Sequence, residues 1–293
     1  MENTKIIERS HQRGVFYAVL AALSMSVMAL FVKLASPHTT NAMTIMFRFG
    51  VSFLYIISVL GYHYCRGKKF PLKAHKISLQ LGRGVLAVAT MLLFYYSLRY
   101  ISLVDGTVLV MTNPLFIPLL GVFFLGQKLS WKILSFVIVG FLGVLLILRP
   151  GVELFNVYSL YALAAGLTGA LVIVQLKLIG KHDDPQTTML YYFTIAFIFS
   201  ALLSIRYWVT PDMHTIFLLL MVGVTGTIYQ AFLIRASWHT SAIAVGSSLY
   251  MAVIFSGIID WLVWHDVPSL VSVIGMLLVF LSSYFVLRSG KSK

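Results

Sequence analysis

Residues 14–35 read GVFYAVLAALSMSVMALFVKLA, 22 consecutive positions with a single charge, Lys33, near the far end. A helix of that length rises about 33 Å, enough to cross the hydrocarbon of a bilayer. It is too long for the apolar core of a signal peptide, so it reads as a spanning helix rather than a cleaved leader. Outward from it, similar apolar runs recur at 41–62, 77–98, 102–125, 131–149, 158–179, 187–206, 214–235, 241–263 and 269–287. That makes ten expected spans. Most connections are short, which forces antiparallel neighbours.

Composition agrees. The chain has 293 residues, 59% hydrophobic and only 11% charged. A soluble domain needs roughly twice that charge, so the surplus apolar surface is expected to face lipid. The net charge of +13 would suggest nucleic acid in a soluble protein, but its distribution speaks for topology. Sixteen Lys and Arg fall on one set of segments: Lys5, Arg9, Arg13, Arg66, Lys68, Lys69, Lys73, Lys76, Lys128, Lys132, Lys177, Lys181, Arg235, Arg288, Lys291 and Lys293. The opposite loops hold three: Arg99, Arg149 and Arg206. This bias places both termini in the cytoplasm, in a bacterial inner membrane, with the basic loops against anionic lipid headgroups and no nucleic-acid partner. Cys65 is the only cysteine, so no intramolecular disulfide forms.

The chain also repeats itself. Leu-Arg-Pro-Gly at 148–151 returns as Leu-Arg-Ser-Gly at 287–290, and Gln127–Ser130 aligns with Asp266–Ser269 at the same offset. Leu30–Leu34 echoes Ile173–Leu178. Five spans per half is odd, so the halves enter the membrane from opposite sides. The expected fold is an all-α integral membrane protein, ten transmembrane helices as two inverted five-helix repeats. The expected divisions are a tail at 1–13, a repeat at 14–149, an outer linker at 150–157, a repeat at 158–287 and a tail at 288–293. Transporters built this way hold substrate near the midplane between the halves.

Polar residues inside spans are expensive and mark candidate sites. Asn41, Thr44, Arg48, Ser52 and Tyr55 form one stripe down span 2, which should face the bundle interior. Asp105 opens a second stripe with Thr112. Arg48 and Asp105 lie at similar depths and are expected to approach each other, with Lys33 near the outer end of span 1. The pair reads either as a structural lock or as a substrate-binding or gating pair, with snorkelling of Arg48 a third reading. Pro114 and Pro118 break span 4 beside Thr112 and Asn113, a candidate gating bend. Arg83, Thr90 and Ser97 form a third stripe, with Arg83 at the inner end expected to snorkel. Tyr95, Tyr96, Tyr229, Gln230, Ser247 and Tyr250 are the polar and aromatic candidates for lining a cavity, or for packing. Asp105 and Asp260 are the candidates for proton coupling, and the belt of Trp261, Trp264 and His265 around Asp260 reads as interfacial. His182-Asp183-Asp184 reads as a solvated turn. No phosphate-binding loop, metal-ligand cluster or cofactor motif occurs, which argues against an enzyme, a metal and a cofactor.

Several of these residues carry a resemblance. Tyr96–Gly106, Thr112-Asn113-Pro114-Leu115-Phe116, Phe124–Ser130, the Gly140/Gly143 pair, Phe47-Arg48-Phe49 and Ala21–Lys33 resemble the drug/metabolite transporter superfamily in its EamA-domain branch, over about residues 14–288. The Asp105-bearing start of span 4 looks most like the S-adenosylmethionine-transporter side. The resemblance implies a secondary transporter of a small organic metabolite (an amino acid, nucleoside derivative or drug-like solute), working by alternating access as a monomer or homodimer. It implies a cavity formed by spans 1, 3, 4, 6, 8 and 9. The other classes weighed are a non-transporting membrane subunit and an intramembrane lipid-modifying enzyme. Gln127 departs from the family's acidic residue, and Ala252-Val253 stand where it has a proline. Tyr192 stands in the second half where Arg48 stands in the first. The polar equipment is therefore expected to be weighted toward spans 2 to 4.

Overall fold

A computed structural model describes residues 2–67, 73–97, 100, 103–127, 130–148, 157–265 and 270–289. The side chains of 2–9, 95, 103–105, 148, 260, 264 and 287–289 lie outside that description. Among the described residues all regular structure is helical: α1 (Glu2–Ala35), α2 (Asn41–Cys65), α3 (Ile77–Ser97), α4 (Leu103–Val110), α5 (Asn113–Leu125), α6 (Trp131–Leu148), α7 (Ser159–Ile179), α8 (Pro185–Arg206), α9 (Met213–His239), α10 (Ala242–Leu249), α11 (Met251–Trp264) and α12 (Leu270–Ser289). The expected spans at 102–125 and 241–263 are each two helices, α4–α5 and α10–α11. The expected tail at 1–13 is largely the start of α1.

Eight stretches are long and apolar enough to cross a membrane, while Trp131–Ile147 and Leu270–Val286 are shorter apolar helices. The outer surface fits lipid and not water. Phe16, Leu54, Phe123, Leu160, Leu202 and Leu277 are each more than half exposed, a density of bare apolar surface that a water-soluble monomer does not carry. Helix starts follow local chemistry: the side chains of Thr40, Asp212 and Ser241 accept the N–H of Met43, Thr215 and Ala244 at the heads of α2, α9 and α10. Gly126, at φ 63°, turns the chain out of α5 in the left-handed conformation that glycine adopts without strain.

Packing between the halves is reciprocal. α1 packs on α9, and α7 packs on α3; α2 packs on α9, and α8 packs on α3. α5 packs on α7, and α11 packs on α1. α2 with α8, and α6 with α12, pair directly. If spans are numbered within each half, every one of these contacts has its exchanged partner. Phe53 and Phe197 stack across the α2–α8 pair, centroids 5.2 Å apart at 14°.

The two broken spans share their backbone geometry. At the first break Thr112 N–H donates to Leu109 O and Leu115 N–H to Thr112 O. At the second, Tyr250 N–H donates to Ser247 O and Val253 N–H to Tyr250 O. These are the same short-range bonds, each 138 positions on. The position of Pro114 falls on Ala252, so the second break forms without a proline. The loss of proline does not make the halves asymmetric here. Ser26 Oγ donates to the carbonyl of Ala252 at 2.8 Å, so a neighbouring helix satisfies backbone at the bend.

Candidate functional site

The interior polar groups gather where α2, α3, α8 and α9 meet. Arg48, on α2, lies against α9 at Gly226, where an added Cβ would stand 3.1 Å from Arg48 Cγ and 3.3 Å from its Nε. A methyl there would press on the Arg48 side chain and make it give way slightly. Its Nη1 points to Met91 Sδ at 3.6 Å, and its Cζ is 5.1 Å from the Phe49 ring centroid. One turn away, Ser52 Oγ and Thr227 Oγ1 share a buried hydrogen bond of 2.6 Å that joins α2 to α9.

Arg83, expected to snorkel, does not. Its residue is 0% exposed, and none of its three guanidinium nitrogens has a hydrogen-bond partner. Its Cζ stands 4.1 Å from the centroid of Tyr192 on α8, a cation–π contact in a desolvated setting. Gly82 and Gly84 flank it. A Cβ at Gly84 would meet Ile195 Cγ2 at 2.6 Å, and one at Gly82 would meet Gln175 Nε2 at 3.3 Å. The two glycines bring α8 and α7 so close that Arg83 has no route to an interface. Phe49 meets Tyr192 edge-on at 5.6 Å, and Tyr229 lies within electrostatic reach of Arg48, Arg83 and Tyr192. The rings of Tyr192 and Phe49 thus connect the two arginines. Tyr192, which stands in the second half where Arg48 stands in the first, is the residue that receives Arg83.

The other expected site residues distribute as follows. Gln230 joins this region with Nε2 buried and unpartnered. Thr112 is bonded within the break, Oγ1 to Leu109 O at 2.5 Å, with Gly166 of α7 pressed against it. Asn113 sits beside Gly169 and Thr90, its Oδ1 unpartnered. Pro114 is buried in the first turn of α5. Ser247 is spent on its own helix, donating to Ile243 O. Tyr250 is fully buried in a separate apolar cluster with Val137, Val144 and Val279, its hydroxyl unpartnered. Tyr96 is exposed and packs with Tyr100 and Tyr161, and Tyr100 in turn stacks on Tyr158, an arrangement typical of an interfacial belt. Lys33 is exposed in the last turn of α1. The side chains of Tyr95, Asp105 and Asp260 lie outside the described residues, and with them the expected Arg48–Asp105 approach. A crevice of about 440 Å³ between residues 37–40 and 209–212 opens at one end of the bundle and is lined by none of these groups.

Sequence reading also missed Asp183. Instead of being solvated, its side chain is fully buried. Its Oδ1 accepts the backbone N–H of His75 at 2.6 Å and lies 3.1 Å from His75 Nδ1, and its Oδ2 accepts from Gln80 Nε2 at 2.9 Å. Burial works against the charge, but the hydrogen bonds from His75 and Gln80 outweigh it and hold the carboxyl below its ordinary range. This cluster ties the loop before α3 to the turn before α8.

The chain is 28% identical over 280 residues to the pseudopaline exporter CntI of Pseudomonas aeruginosa, covering 95% of this chain and 97% of that one. It is 26% identical over 285 residues to the S-adenosylmethionine uptake transporter of Rickettsia felis, covering 97% and 95%. A solved crystal structure shares the fold at a TM-score of 0.81 and 16% identity, over 97% of this chain and 100% of that one. The EamA-like transporter family matches residues 12–149 and 156–288, nearly the whole length in two successive repeats, and the chain belongs to that family.

Proposed function

We propose that this protein is a secondary transporter of a small organic metabolite, working by alternating access between two inverted five-span halves in a bacterial inner membrane. The observation that carries the reading is the convergence of Arg48, Arg83, Tyr192, Tyr229 and Gln230 from both halves inside a bundle whose outer face is bare apolar surface. A polar interior at the contact of two exchanged halves is where a transporter of this architecture holds its solute. The reciprocal helix pairing and the matched breaks at Thr112 and Tyr250 support two halves that rock as related bodies, with α6 and α12 as the remaining two of ten spans. With five spans per half, the halves are inverted and both termini share the cytoplasmic side. Named relatives of similar identity bear opposite directions, export and uptake, so direction is not carried by the shared fold.

The test is uptake into proteoliposomes from a panel of labelled amino acids, nucleoside derivatives and drug-like cations, with and without a proton gradient. Flux of at least one solute, faster than in empty vesicles, is expected. Arg48→Ala and Asp105→Asn should each cut that flux strongly while inserting normally. No solute moved under any gradient would sink the transport reading, and wild-type flux in both variants would remove these two residues from the site.

A further inference from the structure

The bundle encloses a cation that no described residue neutralises. Among the described residues no carboxylate pairs with Arg83 or with Arg48. Arg83 is 0% exposed, and Nε, Nη1 and Nη2 all lack partners. A buried guanidinium with no counter-charge destabilises the protein that contains it, and packing does not excuse it. The guanidinium lies over the Tyr192 ring, Cζ 4.1 Å from its centroid. That contact supplies no oxygen acceptor to the N–H donors, which lie in the plane of the group. They are free for a planar acceptor.

We propose that Arg83 is an anion subsite and that it takes the carboxylate of an organic solute; this rests on the transport reading above. Shape selects the partner. A guanidinium presents parallel N–H groups along an edge, which match the two oxygens of a carboxylate. Charge selects it too. The nearby cation Lys177, two residues beyond Gln175 on α7, is already committed to the carbonyls of Ser237 and Thr240, which leaves Arg83 to hold a single negative charge and favours a monoanion over a dianionic phosphate. Arg83 lies six residues into α3 and Met91, which contacts Arg48, lies fourteen in. The levels of Arg83 and Met91 are thus eight residues, about 12 Å, apart along the axis of α3.

Further unpartnered groups mark the same route. Gln230 follows Gly226, the point where Arg48 touches α9, by one helical turn on the same face, and its Nε2 is buried and free. Gln175 stands beside Gly82, next to Arg83, with its Oε1 unpartnered. Arg48, Gln230 and Arg83 form a descending series of donors, with Tyr229 within electrostatic reach of both arginines. An acidic group released by Arg48 meets Gln230 and then Arg83 when the halves rearrange. The solute class that follows is an organic acid or an α-amino acid derivative.

The test uses the purified full chain in detergent and matched probes: L-methionine with L-methioninamide, butyrate with butyramide, and inorganic phosphate. Without any probe, Arg83→Met should melt a few degrees higher than wild type, because an uncompensated buried charge has been replaced by an apolar side chain of similar length. The acids should raise the melting temperature of wild type; the amides and phosphate should not; and Arg83→Met should respond to none of them. If Arg83→Met does not fold, Arg83→Lys replaces it, with at least a five-fold weaker response to the acids expected. Equal response of variant and wild type to every probe, including none, overturns the subsite. So does equal stabilisation by acid and amide, or stabilisation by phosphate alone. Flux of a solute without an acidic group, unchanged in the variant, overturns the subsite and leaves transport standing. An Arg83-dependent response to acids with no flux of any solute keeps the subsite and removes the transport reading.

Discussion

Asp183 and His75 join two segments 108 positions apart, the carboxylate accepting the His75 backbone N–H at 2.6 Å and facing its ring nitrogen at 3.1 Å. The contact fastens one end of the first repeat to the same end of the second. It also fixes the direction of a pH effect. The folded protein holds the Asp183 carboxyl below its ordinary range, so ionised Asp183 stabilises the fold above the unfolded value of about 4. That contribution disappears as pH falls through the depressed folded value. Asp183→Asn should cost about 1–3 kcal/mol near neutrality, through lost charge-assisted bonds and misplaced amide hydrogens. The gap between variant and wild type should close below about pH 4. Thermal melts of both proteins across pH measure it; a gap that widens on acidification would contradict the assignment.

Lys177 ends in two carbonyls. Its Nζ donates to Ser237 O and Thr240 O, each at 2.7 Å, at the C-terminal end of α9. A cation there satisfies backbone acceptors that the helix leaves open and opposes the negative end of its dipole. Lys177→Met should lower stability by about 1–2 kcal/mol, visible as a lower melting temperature. An unchanged melt would mean that water replaces the ammonium at no cost.

The approach of α3 to α8 at Gly84 leaves no room for a methyl. Its Cβ would meet Ile195 Cγ2 at 2.6 Å and Ile195 Cβ at 2.9 Å. Gly84→Ala should destabilise by about 1–3 kcal/mol, and Ile195→Ala in the same chain should recover part of that loss. A double-mutant cycle on thermal stability reads the coupling. Strict additivity would show that the two positions are not in contact.

Matching bonds at the two breaks make a prediction about proline. Ala252 occupies in the second break the place of Pro114 in the first, so Ala252→Pro should be accommodated, at less than about 1 kcal/mol. The same change at Ala170, buried in the middle of α7, should cost about 3 kcal/mol or more. Comparable losses at both sites would show that the second break is a looser version of the first.

Apart from α1, which starts twelve residues before the expected span, the expected spans begin and end within a few residues of the observed helices or helix pairs. Span length and the repeat were legible because lipid imposes its demand locally: each segment must be apolar over about 20 residues regardless of its neighbours. Of the stripe on α2, Thr44 and Ser52 are buried, while Asn41 and Tyr55 at its ends are exposed. Proline was a poor guide to the second break. The bonds there are made by Tyr250 and Val253 and supported from outside by Ser26, a residue 226 positions away. The interfacial reading of Arg83 failed for a related reason. Its place near a helix end suggested an aqueous exit, and nothing in its own segment indicates that Tyr192 and Ile195 close it.

By itself, the amino-acid sequence determined that this protein is a helical membrane protein of two repeats, since hydropathy and repetition are properties of the chain taken in order. Only the tertiary structure decided which polar residues meet. The rotation of each helix about its axis is set by partners a hundred positions distant, and that rotation brings Arg83 to Tyr192, Arg48 to Gly226 and Asp183 to His75.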